Sequence, residues 1–392
     1  MEEYTERTSS LDYLLVFMLL CLSGNLLVVG VGPYLQLGFI GSFILLTLIY
    51  VRKGAKRNKE IFVFISVWLS IYLFQLLGGI FLSFNTAFFY LIKLLIGVYV
   101  FVILGSKFRE VYFRVMYFLA ITSLFFFIAN VLGFHFSPIA TYGDRSSIFL
   151  YTQFYNKYEG TLLLRNSGMF WEPGAFQGYI NMMFLFYLPE LGDLWKKHKI
   201  KMLTIVIALI TTFSTTGYIA FGIIILAYTL FYKKGNKVYS YLLFFVLLIS
   251  SIYLFLTLDF LGKKVGIVNN TTVYESQIGG NRVANLSDNW LLIKESLIFG
   301  HGYSQDALKF IEGGYFSNGW AAHIYFMGLI GFISYHMFLV LWLKRQGIGL
   351  KWLLTFLLVD AIILQGEGFL SHPFFLGLPF LIIINIKKKE YG

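Results

Sequence analysis

The sequence predicts an all-α polytopic membrane protein with about 12 transmembrane helices, both termini cytoplasmic and two long outer, periplasmic loops. Three observations predict this class. Over 392 residues the chain is 58% hydrophobic but only 13% charged, against about 25% charged in a soluble domain. Apolar runs of spanning length recur along it, a span needing about 20 such residues. Basic residues gather in short clusters on alternate connections between those runs, the pattern that fixes orientation in a bilayer.

The candidate spans are 11–30, 35–51, 61–83, 86–105, 112–133, 175–190, 201–214, 216–232, 239–259, 320–343, 350–365 and 373–387. The first is preceded by the acidic stretch Met1–Ser10, which lacks the basic start of a cleavable signal, so it reads as a retained span. With the termini inside, the inner segments hold Arg7, Arg52, Lys53, Lys56, Arg57, Lys59, Lys107, Arg109 and Arg114 in the first half. Further on they hold Lys196, Lys197, Lys199, Lys201, Lys233, Lys234, Lys237, Lys344, Arg345, Lys351, Lys387, Lys388 and Lys389. Most of the 31 Lys and Arg are thus orientation signals and contacts for anionic lipid, and the net charge of +11 does not call for nucleic acid. The 20% aromatic content suits interfacial belts.

One membrane domain, 1–392, then carries two polar interruptions: a first outer loop at 134–174 and a second at 260–319. Loops of this length are usually functional rather than connective. The stretch Ile200–Tyr232 is too long for one ordinary span, and basic clusters flank both its ends. A hairpin broken at Ser214-Thr215-Thr216-Gly217 satisfies both clusters. Each arm reaches only about 24 Å, so the turn lies below the outer surface. It lines an outward cavity, or it marks a locally thinned bilayer.

Several chemistries lack their residues. There is no Walker loop for ATP-driven transport, no HExxH and no CxxC pair. Gly300-His301-Gly302 lacks the third glycine of a dinucleotide fingerprint. The single cysteine, Cys21, permits no intramolecular disulfide and no cysteine-based metal site. No Asp-x-Asp pair is present to carry a metal-bound nucleotide sugar. No metal and no cofactor are expected, and a transferase built on this chain takes a lipid-borne donor.

The outer side holds the candidate chemistry. Arg165-Asn166-Ser167-Gly168-Met169-Phe170-Trp171-Glu172-Pro173-Gly174 leads into the sixth span. Pro173 suits the first helical position, which places Glu172 at the N-cap. Glu172 there either complements the helix dipole or works in a site. Arg165 either pairs with Glu159 or Glu172, or binds an anion. Arg282 opens a second stretch whose apolar positions Val283, Leu286, Trp290, Ile293 and Leu297 keep helical spacing. An arginine at a helix start opposes the dipole, so an anion is its natural partner. His323 sits at the outer end of the tenth span, as a base, a phosphate partner or a satisfied polar anchor. Lys93 lies roughly 10 Å inside the fourth span, facing a cavity or snorkelling outward. Arg145, His301, Glu367 and His372 are further outward candidates.

These stretches together resemble the superfamily of O-antigen polymerases and O-antigen ligases. Arg165 through Gly178 is similar to its Arg-Ser-Gly…Glu-Pro-Gly stretch ahead of a span. Phe213-Ser214-Thr215-Thr216-Gly217 resembles its Thr/Ser-Gly helix break. Arg282 through Gly302 resembles its Arg…Trp…Phe-Gly-x-Gly stretch, and His323 with Gly328 and Gly331 its His…Gly-x-x-Gly element. The resemblance covers about 120–345. It implies a polymerase in the bacterial inner membrane that moves a growing glycan from undecaprenyl diphosphate to the terminal sugar of a second lipid-linked repeat unit. Donor and acceptor are then both undecaprenyl-diphosphate-linked oligosaccharides, in contact with membrane lipid, and a chain-length regulator is a further partner the family allows. Arg165 and Arg282 are expected at the diphosphate, with Arg145 third, and Glu172 or His323 as the base. A ligase is the alternative, though the compact loops fit a polymerase better; a lipid-linked oligosaccharide flippase is the second.

Overall fold

The computed structural model describes residues 8–29, 34–52, 59–80, 84–142, 145–158, 161–234, 292–302 and 318–383, with isolated positions between 238 and 249 and at 290. Arg282, the start of its expected amphipathic helix and most of the expected span 239–259 lie outside those residues. The described chain is mainly helical. In order the helices are α1 (Ser10–Gly24), α2 (Leu26–Val29), α3 (Tyr34–Arg52), α4 (Lys59–Leu77), α5 (Phe84–Leu104), α6 (Phe108–Val131) and α7 (Pro173–Phe186). Then come α8 (Leu191–Lys197), α9 (Lys199–Ile210), α10 (Thr215–Phe231), α11 (Gly319–Arg345), α12 (Leu350–Gly366) and α13 (Pro373–Gly377). Among the described residues, three helical stretches are long and apolar enough to cross a membrane: Lys59–Leu77, Phe84–Val131 and Gly319–Arg345. Shorter apolar helices cover Ser10–Gly24, Leu37–Arg52 and Thr215–Phe231.

Local sequence explains the ends of these helices. Ser9 and Asp12 form a capping box at the start of α1, with Ser9 N donating to Asp12 Oδ2 at 2.8 Å and Asp12 N to Ser9 Oγ at 3.3 Å. Gly105, at φ 53°, breaks the long apolar run between α5 and α6 within one 3-10 turn. α11 is kinked at Gly328, which takes φ 67° and ψ 179°. Residues 297–302 dock into that kink. His301 N donates to Tyr325 O at 2.6 Å, Gly302 N to Phe326 O at 3.0 Å and Leu329 N to Leu297 O at 2.9 Å. A Cβ on Gly300 would sit 2.5 Å from Gly328 N, and one on Gly328 would collide with Ile298 O. The glycines of two separate sequence motifs are therefore one backbone-on-backbone joint.

Two expectations are corrected here. The chain is not all-α: the first long polar stretch folds into a four-stranded antiparallel meander, β1 (Ala140–Tyr142), β2 (Arg145–Ser147), β3 (Thr152–Tyr158) and β4 (Thr161–Asn166). Thr, Tyr, Phe and Leu in β3 and β4 fit a pleated, half-covered surface, and a sheet satisfies backbone groups that a bare loop leaves open. The expected last span, 373–387, begins instead with the five-residue α13, a 3-10 turn and extended residues 381–383. Pro379 accounts for the interruption, since it has no N–H to donate to a continuing helix. The break between α9 and α10 falls at 211–214, just ahead of its expected place. Ser214 is the N-cap of α10, its Oγ accepting from Gly217 N, and Phe213 holds a left-handed φ of 46°, uncommon for a bulky residue.

Ion pairs mark the two ends of α7. Arg109 forks onto Glu190 with both bonds at 3.0 Å just beyond its C-terminal end. Arg145 meets Glu172 at its N-terminal end. The aromatic core runs between them, with Tyr112, Tyr179, Phe186 and Phe374 fully or almost fully buried.

Candidate functional site

The sheet brings two predicted arginines into one row. Its register pairs Arg145 with Phe154, and Phe154 with Arg165. Directly opposed residues on neighbouring strands present their side chains to the same face. Accordingly the Arg145 and Arg165 guanidinium carbons lie 5.4 and 5.9 Å from the centre of the Phe154 ring. Arginine over an aromatic face is favourable, and more so when water is excluded. Like charges so close together suit an anion that both can meet.

The row is held at the broken helix. Arg165 is only 5% exposed, and its Nε donates to Thr212 O at 2.9 Å in the turn between α9 and α10. Asn166, fully buried, secures the same joint. Its N donates to Thr211 O at 3.0 Å, and its Nδ2 to Thr211 Oγ1 at 2.9 Å and to Ser123 Oγ of α6 at 3.2 Å. Its Oδ1 accepts from Gly168 N at 3.0 Å. Gly168, at φ 54°, then turns the chain back so that its carbonyl accepts from Thr152 N of β3 at 2.6 Å. The Thr/Ser-Gly break and the Arg165 motif are thus one hydrogen-bonded unit.

Beyond this turn the chain crosses the end of α1. Trp171 N donates to Gly24 O at 3.0 Å, and Asn25 Nδ2 donates to Phe149 O at 2.6 Å. Pro173 is the first residue of α7 and Glu172 its N-cap, as the sequence predicts. The Glu172 side chain makes no capping hydrogen bond. Its Oε2 instead accepts from Arg145 Nη2 at 3.4 Å, with side chains 20% and 30% exposed respectively. A second carboxylate joins it. A Cβ on Gly174 would collide with Glu367 Oε1 and lie 3.4 Å from Glu172 Oε1. Glycine at 174 therefore lets Glu172 and Glu367 stand side by side over the first turn of α7.

Other predicted residues lie around or apart from this centre. His372 stacks on Trp171, with ring centres 4.6 Å apart. Lys93, on α5, places its ammonium 5.5 Å from the Phe39 ring. His301 is engaged structurally: it stacks on Tyr325 at 4.5 Å and its Nε2 meets Leu292 O at 2.8 Å. His323 is 3% exposed and packed edge-on against Trp68 at 5.8 Å. Among the described residues it forms no hydrogen bond or ion pair with Arg145, Arg165 or Glu172. Arg282 lies outside the described residues.

Sequence reasoning missed Phe154, Asn166 and Thr212 as parts of the site. Phe154 sits among strand-prone residues, in a stretch the sequence reading takes only as a loop. The carbonyl of Thr212 leaves no trace in side-chain identity. Glu367 was visible as a charge near a span end, yet its approach to Glu172 depends on the close contact that Gly174 admits.

Comparison with known proteins bears on the second half of the chain. Residues 200–336 match a family model described as O-antigen ligase. That stretch includes the α9–α10 break, the residues docked into the α11 kink and His323. No curated protein and no solved structure matches the chain.

Proposed function

We propose that this chain is a glycosyltransferase of polysaccharide assembly, a polymerase of lipid-linked repeat units, a reading supported by the match of residues 200–336 to a family model described as O-antigen ligase. The observation that carries the reading is the Arg145–Phe154–Arg165 row, with two carboxylates at its edge. In the proposed reaction an acceptor sugar hydroxyl attacks the anomeric carbon of the donor glycan. The bond from that carbon to the diphosphate oxygen breaks, the bonding electrons leave with the lipid diphosphate, and the hydroxyl proton passes to a carboxylate. Negative charge grows on the leaving diphosphate, and fixed donors aimed at it supply most of the catalytic advantage.

Arginine suits this task because its charge is permanent and its planar fork matches phosphate oxygens. The more open Arg145 is the contact residue, and the buried Arg165 supplies a fixed charge behind it. Glu172, oriented by Arg145, is the base, with Glu367 beside it. Undecaprenyl diphosphate as carrier, and the outer face of the inner membrane as location, belong to this reading. Arg282 is assigned to the same anion on the strength of its motif.

The test is genetic. Arg145→Ala and Arg165→Ala are expected to remove long-chain polysaccharide from a gel while protein level in the membrane holds. A normal ladder from both variants would sink the proposal. The description of the matched model as an O-antigen ligase favours a second reading, transfer of glycan to a lipid A core. Product analysis separates the two: polymer on the lipid carrier supports polymerase, and single transfer onto the core supports ligase.

A further inference from the structure

Lys93 is a cation set into the apolar helix α5. A charge at such a position is costly and usually has a counterpart. Among the described residues no carboxylate lies within ion-pair distance of its ammonium; the ring of Phe39, 5.5 Å away, is the neighbouring group of favourable polarity. A cation–π contact is worth well short of what it costs to desolvate an ion.

The surrounding backbone is built to bring another polar group to this lysine. One turn along α5, Gly97 lies so close to α13 that a Cβ would collide with Pro373 O and sit 2.9 Å from Gly377 N. This contact brings the chain at His372, the residue before α13, to the stretch of α5 that carries Lys93 one turn away. The His372 ring stacks on Trp171, and Trp171 is followed by Glu172. A continuous series of contacts therefore runs from Arg145 through Glu172 and Trp171 to His372, and the next residue, Pro373, packs on α5 one turn from Lys93. Cationic groups stand at both ends, and a carboxylate stands between them.

We propose that Lys93 and His372 form a second anion site, which takes the diphosphate headgroup of a second polyprenyl carrier on the far side of Trp171 from the arginine row. The assignment rests on the transfer reading above, in which two lipid diphosphates must be held at once with their sugars meeting between them. The Arg145–Arg165 row holds one headgroup. Lys93 holds the other as a compact point charge, with the His372 ring nitrogens as further hydrogen-bonding groups. Glu172 and Glu367 lie between the two sites, where the acceptor hydroxyl gives up its proton.

The experiment counts lipids bound to the purified full chain by native mass spectrometry, with undecaprenyl diphosphate as the probe. The wild-type protein is expected to hold two. Lys93→Met and the Arg145→Ala/Arg165→Ala pair are each expected to hold one, and Lys93→Arg, which keeps the charge and guards against misfolding of the Met variant, two. Two lipids on Lys93→Met, or only one on the wild type, overturns the second site. Loss of the second lipid from both Lys93 variants assigns the effect to packing and also overturns it. A parallel titration with phosphatidylglycerol separates a diphosphate site from a general anionic-lipid site: displacement of the second carrier at equal concentration overturns the assignment. A normal polysaccharide ladder in the double arginine variant would end the transfer reading while leaving the lipid count to judge Lys93.

Discussion

Arg145 and Arg165 stand on different strands, β2 and β4, yet share one neighbour: the Phe154 ring on β3 lies between them, 5.4 and 5.9 Å from the two guanidinium carbons. The row exists only because the meander has this register. A slip of one residue along β3 would turn Phe154 to the other face and separate the arginines. The site is thus a property of the sheet, and the sheet in turn is fixed to the helices through Asn166 and Thr212.

The first prediction tests the aromatic spacer. Phe154→Leu keeps bulk and removes the ring face, whereas Phe154→Tyr keeps both. Loss of two exposed-to-buried cation–π contacts corresponds to about 1–2 kcal/mol. Polymer yield in membranes is expected to fall with Leu and to persist with Tyr. Equal activity of the two variants would show that the ring merely fills space.

A second prediction concerns the joint between sheet and broken helix. Asn166→Ala removes the partner of Thr211 Oγ1, Ser123 Oγ and Gly168 N. Thr211 Oγ1 and Ser123 Oγ keep their bonds to Ala208 O and Ala120 O, so Gly168 N is the group left unpaired, at a cost of about 1–3 kcal/mol. The purified variant is expected to melt at lower temperature in detergent, and to lose polymer formation because Arg165, the next residue, is no longer held at Thr212.

Different parts of this arrangement were legible in the sequence to different degrees. The helix start at Pro173 and the cap position of Glu172 follow from proline chemistry alone, and the structure has both. The helix break near Ser214 follows from length and flanking charge. The sheet was missed because apolar composition dominates the reading of a membrane chain, and a short meander in a polar interruption carries only local propensity. The pairing of Glu172 with Arg145 and with Glu367 is non-local. It depends on strand register and on a glycine that admits a carboxylate, neither of which leaves a periodic pattern.

The third prediction separates structural glycines from catalytic neighbours. Gly328→Ala places a side chain at φ 67° and against Ile298 O. A backbone at φ 67° and ψ 179°, essentially restricted to glycine, costs another residue about 1–3 kcal/mol, and the collision with backbone adds to it. Gly174→Ala instead pushes on the Glu367 carboxylate. Gly328→Ala is expected to lower folded protein in membranes. Gly174→Ala is expected to keep the protein level and lose polymer, read by immunoblot and gel from the same cells.

The fourth prediction asks which group takes the acceptor proton. Sequence alone leaves Glu172 and His323 open. In the structure Glu172 is partly exposed, beside Arg145 and Glu367, whereas His323 is 3% exposed among Trp68, Phe332 and Tyr335. A general base contributes about 10²–10⁴-fold to rate. Glu172→Gln keeps the shape and removes the charge, so transfer measured with purified protein and lipid-linked repeat units is expected to fall into that range. Glu367→Gln, altering the neighbouring carboxylate, is expected to cost less. His323→Gln is expected to act through packing, lowering thermal stability more than rate per folded molecule. If His323→Gln instead removes the rate while the melting temperature holds, the base is His323. The kinked half of α11 must then turn its ring toward the substrate during the reaction.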